Sequence, residues 1–152
     1  MTQLAAWAAR WGIAPAALEE LRWLTVPPIA PGSRGEGSET RLSAEVRLGA
    51  AGLGVMLFRN NSGMAYNPAG QPVRFGLGND SAKINAVFKS SDLIGFTHEG
   101  RFVAFESKQP GWKYKGTERE IAQKNFLDTV VRNGGIAAFV TSWGEARAAL
   151  GG

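Results

Sequence analysis

The stretch Asp92-Leu93-Ile94-Gly95-Phe96, followed after a turn by Phe102-Val103-Ala104-Phe105-Glu106-Ser107-Lys108, decides how this chain is to be read. Two short apolar runs flank His98, Glu99 and Gly100, so the segment predicts a β-hairpin. Side chains alternate along a strand, which puts Ala104, Glu106 and Lys108 on one face and Val103 and Phe105 on the other. Asp92 opens the first strand, and pairing around the turn brings it to the same end as Glu106 and Lys108. An apolar run ending in Glu-Ser-Lys sets an anion and a cation at the rim of a core, where burying either alone is costly.

Two carboxylates in close proximity repel, and one tends to protonate unless a cation keeps both ionised. Mg²⁺ is the natural candidate, because this hard ion takes one or two carboxylates and leaves room for water and phosphate oxygens; Mn²⁺ is the other. Lys108 would then lie near a scissile phosphate, able to orient or help deprotonate the attacking water and to offset developing charge. On spacing alone, a surface Glu-x-Lys ion pair is the competing reading.

Working outward, Thr117-Glu118-Arg119-Glu120 is a capping box that starts a helix through Ile121, Phe126, Leu127 and Val130 and ends at Gly134-Gly135. Ile136 to Val140 predicts a last strand and Trp143 to Leu150 a closing helix. Upstream, Leu42, Val46, Ala50 and Leu53 recur at helical spacing over about residues 39–53, with Glu45 bordering the buried face. Val55 to Phe58 predicts a first strand. Residues 60–70 predict a loop or hairpin connection, and residues 76–90 a turn followed by a short helix. The order from Glu39 is helix, strand, strand, strand, helix, strand, helix, an α/β domain over residues 39–152. Residues 29–38 are a Pro/Gly linker, and residues 1–28 a helical extension whose Trp7, Trp11 and Trp23 suit packing.

The chain has 152 residues, 44% hydrophobic and 20% charged, enough to bury a core. It has no cysteine, which excludes disulfides and thiolate zinc sites, and one histidine, His98, which reads as an exposed turn residue. No apolar run is long enough to span a membrane and no secretory signal is visible, so a cytoplasmic protein without a membrane partner is expected. Gly76-Leu77-Gly78 lacks the Gly-Lys-Ser/Thr ending of a phosphate loop, which argues against a nucleotide cofactor. The net charge of +4 suits a polyanionic partner such as DNA, though a soluble basic protein has the same balance. Lys113, Lys115 and Arg119, interleaved with Trp112 and Tyr114, suit phosphate contacts and stacking on an unpaired base. The alternative is a solvated loop with Trp112 tucked into the core. Arg59 and Asn60, with Asn61, form a second candidate DNA patch.

The blocks Ser90-Ser91-Asp92-Leu93-Ile94-Gly95, Gly100 to Lys108, Pro110-Gly111, Gln123-Lys124-Asn125-Phe126-Leu127 and Gly134-Gly135, in that order, resemble the VRR-NUC family of the PD-(D/E)XK nuclease superfamily. The resemblance runs from about Ser43 to Leu150. Arg74-Phe75-Gly76-Leu77, Phe88 to Asp92 and Pro110 to Tyr114 look most like the stand-alone bacteriophage and prophage versions. The resemblance implies a restriction-endonuclease-like core, a mixed β-sheet flanked by helices. It also implies metal-dependent hydrolysis of DNA phosphodiesters, selectivity for branched DNA such as Holliday junctions or flaps, a homodimer, and the cytoplasm of a bacterial host. By position, Asp92 matches the metal-binding Asp, Glu106 and Lys108 the Glu-x-Lys pair, Glu45 the acidic residue of the first helix that completes the metal site, and Gln123 the glutamine facing the site. Ser107 departs from the pattern, standing where an apolar or β-branched residue is usual. A catalytically silent DNA-binding module or adaptor on the same fold is the rival expectation.

Overall fold

The computed structural model describes residues 3–24 and 37–152, within two compact units, Met1–Ala30 and Pro31–Gly152. In the first, α1 (Gln3–Arg10) and α2 (Pro15–Leu24) are the two expected short helices. The Ile13 amide donates to Ala8 O and closes the end of α1. Ala8 is buried, but Trp7 and Trp11 are exposed, contrary to the expectation that they pack. The side chain of Trp23 and residues 29–36 of the expected linker lie outside the described residues.

In the second unit, α3 (Ser38–Gly52) leads to β1 (Met56–Arg59), then to the pair β2 (Gly63–Tyr66) and β3 (Pro72–Phe75), and to α4 (Ala82–Val87). The chain continues through β4 (Leu93–Phe96), β5 (Phe102–Ser107), α5 (Glu118–Arg132), β6 (Ile136–Val140) and α6 (Trp143–Ala149). A four-stranded sheet has the order β1-β4-β5-β6. The expected hairpin is present: β4 and β5 are antiparallel, with Leu93 opposite Phe105 and Phe96 opposite Phe102. β6 lies parallel to β5, with α5 as the crossover that a parallel connection requires.

Strand alternation divides the core. Leu93, Val103, Phe105 and Val140 pack on one face against Leu42, Val46 and Ala50 of α3 and Ala146 of α6. Ala104 lies on the other face with Ile94, Ala137 and Phe139, against Phe126, Leu127 and Val130 of α5. The domain is therefore a mixed sheet flanked by helices, with β5 interior and apolar on both sides. At Gly95 β4 passes close to β1: a Cβ there would stand 1.7 Å from Met56 O. At the start of α5 the capping box is formed in both directions, the Glu120 amide donating to Thr117 Oγ1 and the Thr117 amide to Glu120 Oε2. Among the described residues no helix is long and apolar enough to cross a membrane.

Between β1 and β4 the sequence reading was incomplete. Residues 60–75 hold a two-stranded antiparallel ribbon, β2 with β3, separate from the main sheet. The strand 72–75 was not expected. It escapes pattern reading because the ribbon exposes apolar side chains on both faces and so lacks the in-out alternation of a half-buried strand.

Candidate active site

The pairing that sets Leu93 opposite Phe105 continues one step to bring Asp92 beside Glu106. Each carboxylate is held by the other strand's backbone. The Asp92 amide donates to Glu106 Oε2 at 3.1 Å, and the Ser107 amide donates to Asp92 Oδ2 at 3.2 Å. Glu106 is only 3% exposed. Its burial, reinforced by the negative charge of Asp92, pushes its pKa up to about 7, against the lowering effect of Lys108. Asp92 has an exposed edge, yet its carboxylate lies against the protein, and that desolvation raises its pKa despite the Ser107 amide and Lys108.

Lys108 and Gln123 complete the cluster. Lys108 Nζ donates to Glu106 Oε1 at 3.3 Å and to Gln123 Oε1 at 2.9 Å, while Gln123 Nε2 donates to Glu106 Oε1. Gln123 arrives from the buried face of α5, one turn before Phe126 and Leu127. The Lys108 ammonium also lies 5.6 Å from the ring centres of both Trp112 and Phe139, which present electron-rich faces to a cation. A cation with so many acceptors around it is a built feature, unlike a surface ion pair of two mobile side chains.

Trp112 is a structural member of this arrangement. It stacks against Phe139 at 4.9 Å between centroids and donates its indole N–H to Glu120 Oε1 at 3.0 Å. Glu120 Oε2 also accepts from the Lys115 amide, so the capping residue of α5 ties down the loop that follows β5. Tyr114 flanks the same aromatic group and is exposed, as are Lys113, Lys115 and Arg119. The positive charge of Arg119 reaches Asp92 and acts to lower its pKa.

Glu45 does not join the cluster. It is exposed and lines a groove with Arg41, Pro110 and Trp143, and among the described residues no three acidic or histidine side chains converge as a metal group. The reason is helical phase. Leu42, Val46 and Ala50 face the sheet, and Glu39, seven residues before Val46, continues that row whereas Glu45 does not. Glu39 is the acid on α3 whose charge reaches Asp92, raising its pKa. The sequence signal for Glu39 is its spacing of seven residues from Val46, which extends the inward row one turn beyond Leu42. Ser107, the departure noted above, turns to the α3 face and shares a 3.0 Å hydrogen bond with Ser43.

The second candidate DNA patch divides. Arg59 is exposed. Asn60 is a latch: its Nδ2 donates to Ser90 Oγ and Ser91 O, its Oδ1 accepts from the Leu77 amide, and its own amide donates to Asp92 O. With its side-chain groups engaged internally, Asn60 positions Asp92 and has little left to offer a ligand. His98 is exposed, as expected of a turn residue.

The residues present fit a hard divalent cation. Asp92 and Glu106 offer two adjacent carboxylates, both with pKa values raised chiefly by burial, and a ring of donors fixes their orientation. No family model, curated protein or solved structure matches the chain.

Proposed function

We propose that the protein is a divalent-metal-dependent deoxyribonuclease of the PD-(D/E)XK type, similar to stand-alone VRR-NUC enzymes, acting on branched DNA. The observation that carries this reading is the Asp92–Glu106 carboxylate pair joined to Lys108 and Gln123. Asp92 and Glu106 would hold Mg²⁺ or Mn²⁺, which when bound supplies an activated water and Lewis-acid stabilisation of the phosphate. Lys108, held in place as a donor by Glu106, Gln123 and two ring faces, presents positive charge where phosphoryl charge grows. Gln123 spans Glu106 and Lys108 and keeps both in register. Glu39 adds negative potential beside Asp92. Lys113, Lys115 and Arg119 lie on the loop and helix start next to this cluster, where they suit contacts to flanking phosphates.

The test is cleavage of labelled duplex, flap and four-way DNA with Mg²⁺, with Mn²⁺ and with EDTA. We expect metal-dependent cutting, lost by about 10³-fold in Glu106→Ala while DNA affinity is retained. Undiminished cutting by Asp92→Ala or Glu106→Ala would remove this site from the reaction. DNA binding without cutting under any metal would favour the silent module. Light scattering on the same preparation checks the homodimer that the family resemblance implies.

A further inference from the structure

The β2–β3 ribbon has no role in the chemistry described so far. Met64 and Tyr66 share one of its faces with Arg74, and Val73 and Phe75 share the other. All four apolar side chains are exposed, Tyr66 at 68% and Phe75 at 48%. A two-stranded ribbon with no core of its own is marginal in water, yet this one is braced at both ends. At the tip, Asn67 Oδ1 accepts from the Gln71 amide, and the Asn67 amide donates to Gln71 O. At the base, the buried Asn79 donates to Gly63 O and Phe75 O and accepts from Arg74. Gly76, at φ +96°, passes so close to Ser62 that a Cβ would stand 2.5 Å from its Cα. The Asn60 latch then ties this base directly to Ser90, Ser91 and Asp92.

Charge favours one kind of occupant. The ribbon and the segment that returns it to Asp92, residues 59–89, carry Arg59, Arg74, Lys83 and Lys89 against Asp80 alone, +3 of the chain's +4. Exposed aromatic and thioether groups on an ordered ribbon within this basic segment suit a polyanion with accessible bases.

We propose that the ribbon engages unpaired bases of the DNA strand next to the scissile phosphate, with Tyr66 as the stacking residue. This rests on the nuclease reading and adds to it the element and the residue that would contact the unpaired strand. Ordering of the ribbon before binding keeps the entropic cost of the contact low. Its connection through Asn60 fixes the stacked base relative to Asp92.

The experiment measures binding without cutting, by fluorescence anisotropy in EDTA, for a blunt duplex and for the same duplex bearing a single-stranded flap. Wild type, Tyr66→Ala and Tyr66→Phe are compared, with melting curves for each. We expect Tyr66→Ala to lose about tenfold in affinity for the flap and to stay within about twofold on the blunt duplex, with Tyr66→Phe near wild type on both. Equal flap affinity for Tyr66→Ala and wild type overturns the proposal, as does an equal loss on both DNAs. A wild-type dimer that Tyr66→Ala converts to monomer would assign the ribbon to a second copy instead. If wild type binds neither DNA, the ribbon contact fails, and the cleavage assay with metal alone decides the nuclease reading. If Tyr66 behaves as expected but no metal supports cutting, the nuclease reading fails alone.

Discussion

The amide of Gln123 is asymmetric in a way the site uses: its nitrogen donates to Glu106 and its oxygen accepts from Lys108. Replacing it by leucine keeps the bulk but withdraws a donor from Glu106 and an acceptor from Lys108, which then keeps only Glu106 and the two ring faces. We expect Gln123→Leu to lower kcat about 10- to 100-fold with a smaller change in KM, measured on the preferred DNA at saturating metal. Glu106 and Lys108 were legible in the sequence because period-two alternation is a hard geometric fact once a strand is recognised. Asp92 was legible for the related reason that hairpin pairing fixes its partner. Glu39 was not, because helical phase must be extended beyond the apolar residues that define it, into a terminus whose limit the sequence does not mark. The second role of Asn60 was equally hidden. Its partners Leu77, Ser90 and Ser91 come together only in the folded chain.

At the level of elements, β4 fits closely against β1 at Gly95. Gly95 faces the Met56 carbonyl so closely that any side chain must push β1 and β4 apart. Gly95→Ala should therefore cost about 3 kcal/mol or more, read as a lower urea midpoint at unchanged slope. The capped helix α5 and the strands β4, β5 and β6 fell within a residue or two of their expected bounds, since each has a cap, a turn or an apolar run to mark it. The ribbon strand β3 had no such mark, because it is braced by one buried asparagine, Asn79, instead of a buried apolar face.

Over the whole molecule, the acid pair sets how stability depends on pH. Glu106 titrates near 4.5 when unfolded and at about 7 when folded. As pH rises between those values the unfolded chain releases a proton that the native state keeps, so the stabilisation present below the lower value is lost through the upper one. Asp92, also raised, acts in the same direction. The melting temperature of metal-free protein should accordingly fall by several degrees from about pH 5 to about pH 8, and Glu106→Gln should flatten that slope. Added Mg²⁺ should raise the melting temperature more at the alkaline end, where the ion no longer competes with a proton. A metal effect independent of pH would show that the ion binds elsewhere.

The Asn60 latch has one more consequence, for the route by which the chain folds. Asn60 and Ser90 lie 30 residues apart, and the strands β1 and β4 on either side must find each other across that gap. A long disordered excursion makes such a meeting entropically unfavourable. The ribbon, whose strands are joined by a short turn, can form first and draw the two ends together as it does so. The asparagines at its base then act as a clasp on the nascent sheet, and Asp92 arrives beside Glu106 when the clasp closes.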